Sequence, residues 1–133
     1  MQHDNDASLN SGRILIVDDD VRLLTILKTR LSTAGWSCVL CNNASEAMVR
    51  FANEEFDLVI TDITMPGIDG LSVIGMIRSQ SDIPVIVITG HAPEYGLSVS
   101  AYPNLTLLIK PVDARVLIAR VHDLLLRGRL GRV

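Results

Sequence analysis

The sequence predicts an α/β fold in which five parallel strands form one sheet with helices on both faces. Four short runs, Ile14–Val17, Leu58–Ile60, Val85–Ile88 and Leu105–Ile109, are almost wholly apolar and do not alternate, which is how strands buried on both faces read. A fifth strand fits Ser37–Cys41, and segments with apolar residues at helical spacing separate the strands. Such β-α alternation closes into a parallel sheet with right-handed crossovers. At 133 residues the chain has room for one domain, and its 48% hydrophobic content supplies a core.

Arg13–Val17 is the first strand, and Asp18-Asp19-Asp20 ends it. Leu23, Leu24, Leu27 and Leu31 then mark a helix that Gly35 stops, with Asp20 as its N-cap. After Ser37–Cys41, Asn43 with Glu46 three residues on opens a second helix through Ala47, Met48 and Phe51. Asp57–Thr61 is the third strand, and a turn-rich stretch leads into a helix carrying Leu71, Ile74 and Ile77. Pro84–Ile88 and Leu105–Ile109 complete the set as two more buried strands, and Val112–Leu126 is the closing helix. Between those strands, Ala92–Pro103 holds Pro93, Gly96, Ser98, Ser100 and Pro103, a composition of low helix propensity that predicts a mobile flank. The expected organisation is a flexible polar tail over 1–12, one domain over 13–127 and a short tail over 128–133.

Composition excludes several classes. No apolar run approaches the roughly 20 residues of a membrane span, and the polar start with Asp4 and Asp6 is not a secretory signal, so a cytoplasmic setting is expected. A net charge of −3 argues against direct nucleic-acid binding, and Arg127, Arg129 and Arg132 read as the solvated end of the last helix. Cys38 and Cys41 have C-x-x-C spacing, but on a strand residues three apart point to opposite faces, so they do not chelate one ion. Trp36, Phe51 and Phe56 read as core or edge aromatics, and His91 as a loop histidine.

In an open parallel sheet, chemistry collects at the carboxyl ends of the strands. Those ends carry Asp18 and Asp19 after strand one, Asp62 after strand three, Thr89 after strand four and Lys110 after strand five. Three carboxylates at one rim repel unless a cation neutralises them, and an oxygen-only set suits a hard ion such as Mg²⁺. Lys110, one of two lysines in the chain, can pair with carboxylates and with an incoming phosphoryl group. Carboxylates, Mg²⁺, an ammonium and a hydroxyl are the parts that phosphoryl transfer uses.

Four segments, Ile16-Val17-Asp18-Asp19, Asp62-Ile63-Thr64-Met65-Pro66-Gly67-Ile68-Asp69-Gly70, Val87-Ile88-Thr89-Gly90 and Ile109-Lys110-Pro111, together resemble the signatures of the receiver domain of two-component response regulators. The resemblance runs from Arg13 to Leu126 and implies a flavodoxin-like domain that takes a phosphoryl group from a sensor kinase or histidine phosphotransfer protein. Carried over by position, Asp62 is the phospho-acceptor. Asp19 and Asp62 hold Mg²⁺ directly, Asp18 acts through a metal-bound water, and the Thr64 backbone carbonyl completes the set. Thr89 and Lys110 hold phosphoryl oxygens, with a cis Lys110–Pro111 bond. The resemblance also implies a domain that catalyses only its own phosphorylation and dephosphorylation, a downstream partner or output domain, and a homodimer face formed by the fourth helical segment, the fifth strand and the closing helix. Leu107 stands where many receivers carry a Tyr or Phe, so the switch is expected to act through Ala92–Pro103 instead.

Rival readings fit less well. A haloacid dehalogenase-type phosphatase wants D-x-D-x-[TV] after strand one, and Arg22 occupies its last place. A flavodoxin needs a Ser/Thr/Gly-rich phosphate loop where this chain has three aspartates. A degenerate receiver, used only as a binding module, would have lost one or more of the five positions that this chain keeps.

Overall fold

The computed structural model describes residues 12–63, 70–90 and 103–131. Among these lie five strands, β1 (Arg13–Val17), β2 (Ser37–Cys41), β3 (Leu58–Asp62), β4 (Val85–Thr89) and β5 (Leu105–Ile109). The helices described are α1 (Val21–Thr33), α2 (Ala44–Asn53), α3 (Gly70–Gln80) and α4 (Ala114–Gly131). The strands form one parallel sheet in the order β2-β1-β3-β4-β5. Residues 1–11, 64–69, 91–102 and 132–133 lie outside the described ones, and with them the expectations for the N-terminal tail, Thr64, His91 and nearly all of Ala92–Pro103.

The strand interiors are apolar at successive positions because the sheet is covered twice. Ile14, Ile16, Leu58, Ile60, Ile86 and Ile88 face α1 and α4, where they meet Leu24, Leu27, Leu31, Leu117 and Val121. Their neighbours Leu15, Val17, Val59, Val85 and Val87 face α2 and α3, packing on Ala47, Phe51, Val73, Ile74 and Ile77. The same two-residue period sends Cys41 into the second cluster and Cys38 against the first, so the two free thiols sit on opposite faces.

Local signals set the helix ends. Asp20 caps α1 by accepting from the Arg22 and Leu23 N–H groups, and Asn43 caps α2 by accepting from Glu46 at 2.8 Å. Helix α1 ends in a Schellman motif: Gly35 takes φ 109°, its N–H donates to Ser32 and the Trp36 N–H donates to Leu31. Asp113 starts α4, accepting from the Arg115 N–H at 2.8 Å.

Three details differ from expectation. Strands β3 and β4 each begin one residue later than the pattern suggested and end on Asp62 and Thr89. Strand β5 is half-buried and Ile109 is exposed, because β5 is an edge strand with a single strand neighbour. Helix α4 runs over Ala114–Gly131 where the pattern suggested Val112–Leu126. One interior glycine costs a helix only about 1 kcal/mol, and the surrounding Leu and Arg residues favour it. A clasp with no sequence signature joins α3 to the start of β5, as the Arg78 guanidinium donates to the carbonyls of Ser81, Pro103 and Asn104 at 2.9–3.1 Å.

The doubly covered sheet gives a direct stability prediction. Ile86→Ala, at a fully buried position in β4, should cost about 2–5 kcal/mol in urea unfolding, whereas Ile109→Ala on the exposed end of β5 should stay within about 0.5 kcal/mol.

Candidate functional site

In a parallel sheet every strand ends at the same rim, and the strand order here changes direction between β1 and β3. Val17 pairs with Thr61, so the next residues, Asp18 and Asp62, lie side by side at that switch point. On the other flank Asp62 pairs with Ile88 and Thr89 pairs with Ile109, which brings Thr89 and Lys110 to the same rim. The Lys110 N–H donates to the Thr89 carbonyl at 2.9 Å, and the Lys110–Pro111 bond is cis.

The side chains meet. Lys110 Nζ lies 2.7 Å from Asp62 Oδ2 and 3.2 Å from Asp18 Oδ2. Asp18, Asp62 and Thr89 are buried and Asp19 is exposed. Carboxylate oxygens of Asp18, Asp19 and Asp62 all come within 4.8 Å of one another. The second oxygen of Asp18 accepts the Asp20 N–H at 2.9 Å. One ammonium against three carboxylates leaves two negative charges in excess, and a clustered all-oxygen donor set of that charge could hold a divalent cation. The structure thus gathers Asp18, Asp19, Asp62 and Lys110 and sets Thr89 beside them at the rim; Thr64 is outside the described residues.

Electrostatics follow the burial. Desolvation, with the neighbouring Asp62 charge, raises the Asp18 carboxyl above its ordinary value, against the Asp20 N–H and the Lys110 ammonium, which favour the anion. Burial works to lower Lys110, but its contacts with Asp62 and Asp18 outweigh it and hold the ammonium above the usual lysine range. Lys110 therefore stays charged across neutral pH.

A family model described as the response regulator receiver domain matches residues 14–122. The chain belongs to the response regulator receiver domain family. A probable transcriptional regulator, ycf27, of Cyanidium caldarium is 36% identical over 131 residues, covering 96% of this chain and 51% of that protein. A CpxR homolog of Haemophilus influenzae, a transcriptional regulatory protein, is 34% identical over 121 residues, covering 88% of this chain and 52% of its own length. The receiver domain thus spans about half the length of the curated relatives it matches. Among solved structures, a CheY-like receiver domain protein from Methanospirillum hungatei aligns with a TM-score of 0.82 at 28% identity, over 90% of this chain and 97% of that one. The response regulator TrrA of Thermotoga maritima, solved in complex with Mg(2+)-BeF, aligns at a TM-score of 0.76 and 34% identity, over 84% and 97% of the two chains. No helix among the described residues is long and apolar enough to cross a membrane.

The raised carboxyl of Asp18 has a measurable consequence. A group that binds protons more tightly when folded makes the native state lose stability as pH climbs from the ordinary carboxyl range of about 4 through the raised value. Asp18→Asn keeps an oxygen for the Asp20 N–H and removes the buried charge. In metal-free buffer it should stabilise the receiver domain by about 1 kcal/mol at neutral pH and flatten that fall, as read by urea unfolding across the acid range.

Proposed function

We propose that this receiver domain accepts a phosphoryl group onto Asp62 from the phosphohistidine of a sensor kinase or phosphotransfer protein, in a Mg²⁺-dependent reaction. The observation that carries the reading is the placement of Asp62, whose Oδ2 is held by Lys110 while two further carboxylates stand within metal-binding reach. In the transfer an Asp62 oxygen attacks phosphorus, the P–N bond to the histidine breaks, and the bond electrons return to the imidazole. Asp19 and Asp62 would hold the Mg²⁺, with Asp18 acting through a bound water and the Thr64 carbonyl completing the set. The ion supplies neutralising charge for the transferring oxygens.

The chain's own residues do the rest. Lys110 sits on Asp62, orients its carboxylate and offers a second positive charge to the phosphoryl oxygens as they arrive. Thr89, buried at the end of β4, supplies a hydroxyl donor to the acyl phosphate. The rim thus catalyses its own phosphorylation and dephosphorylation and acts on no other substrate. The phosphorylated domain then controls a downstream protein or output domain in the cytoplasm. The exposed Ile109 and Val116 of β5 and α4 support self-association through that face.

Incubation with a small phosphodonor and Mg²⁺, followed by intact-mass measurement, tests the assignment. The parent should gain one phosphoryl mass, and Asp62→Asn should gain none, because an amide is a poor nucleophile. Labelling of Asp62→Asn at another residue would displace Asp62 from the role.

Asp19 separates metal binding from folding. Its side chain is exposed, so Asp19→Ala should unfold at the parent's denaturant concentration yet lose both Mg²⁺ binding and labelling. Phosphorylation of Asp19→Ala at the parent rate would refute the metal role.

A further inference from the structure

Charge on this molecule is divided between the two faces of the sheet. Helix α1 carries Arg22, Lys28 and Arg30 and no acid, and α4 carries Arg115, Arg120 and Arg127 against Asp123 among the residues whose side chains are described. The two helices lie on one face and hold five positive charges in excess among these residues, in a chain whose net charge is −3. On the other face α2 has Glu46 and Arg50, and α3 has only Arg78.

Between the end of α1 and α4 the basic face opens into a groove of about 470 Å³, lined by Ala34, Trp36, Arg115, Ile118, Ala119 and His122. Its floor is apolar and its charged lining is positive. Trp36 is buried, with its ring 6.3 Å from that of His122. The Arg115 side chain is 92% exposed, and its ion pair among the described residues is a 3.5 Å surface contact with Asp113, worth little. None of these residues belongs to the acidic rim.

We propose that this groove docks an acidic amphipathic segment of a partner protein, with an aliphatic side chain over Trp36 and Ala119 and carboxylates meeting Arg115 and His122. Charge selects that occupant. A second copy applied face to face would set basic helices against basic helices, and nucleic acid would gain its affinity from the cations while leaving the apolar floor unused. An acidic amphipathic segment uses both features. The inference does not rest on phosphorylation of Asp62.

Trp36 is the only tryptophan in the chain, so a ¹⁵N-labelled sample gives one indole N–H signal, from a group without a hydrogen-bond partner among the described residues. The probes are a synthetic helical peptide with Leu on one face and Glu on the other, the same peptide with Lys for Glu, and a random-sequence DNA duplex. The acidic peptide should shift the indole signal saturably, and the Lys peptide should bind at least about tenfold more weakly. Arg115→Glu should reverse that preference, and Ala119→Arg should abolish the shift, both with the parent's unfolding midpoint to show an intact fold. Equal response to both peptides, no saturable response, an unchanged response in Arg115→Glu, or tighter binding of the duplex would each overturn the proposal. So would self-association that moves the same signal without peptide.

Discussion

Parallel pairing of β1 with β3, Val17 opposite Thr61, places Asp18 beside Asp62 where both strands end. The rest of the rim is built around that juxtaposition. Two buried carboxylates side by side are unfavourable, and taking each out of water costs several kcal/mol before their mutual repulsion is counted. The sheet bears that cost because its two faces are closed by separate apolar layers, so the strands cannot slip apart to relieve the charge. A slip of one residue would also turn every inward isoleucine toward the wrong layer.

Lys110 is the internal answer to that repulsion, and its position depends on the far edge of the sheet. It follows β5, whose register with β4 sets Thr89 opposite Ile109. The Arg78 clasp and Asn104, at φ 60°, fix the turn from which β5 starts. One ammonium cannot balance three carboxylates. The rim is therefore left with an excess of carboxylates over cationic groups, which a bound cation could balance. Stability has been exchanged for a site, as in many sites where charge is concentrated deliberately.

Much of this was legible in the sequence, for identifiable reasons. The doubly buried strands announced themselves by the absence of alternation, and Asp20, Asn43 and Gly35 marked helix ends through capping chemistry that acts within four residues. The rim residues were legible because strand ends are where a parallel sheet must present them. Other features had no local signature. The half-burial of β5 is a consequence of strand order, which no single segment encodes. The Arg78 clasp joins residues about 25 apart through backbone carbonyls. The reach of α4 past Leu126 reflects the weakness of one glycine as a stop. The basic face was hidden for a similar reason: its arginines are split between two helices at opposite ends of the chain, and Arg127 and Arg129 alone resembled an ordinary solvated terminus.

The two helices that frame the groove both begin beside charged residues of the rim. Helix α1 starts at Val21, directly after Asp20, whose N–H is held by Asp18, and α4 starts four residues after Lys110. A ligand seated between them touches Trp36, which packs in the same layer as Leu31, Leu117 and Val121. If the rim and the groove prefer different arrangements of α1 against α4, each must bias the other by the same free energy, since linkage between binding sites is reciprocal. Helices α2 and α3 hold the opposite layer, where the rings of Phe51 and Phe56 stack. The fold therefore supplies one layer in which both helices start beside the charged rim and both pack on the residues around Trp36.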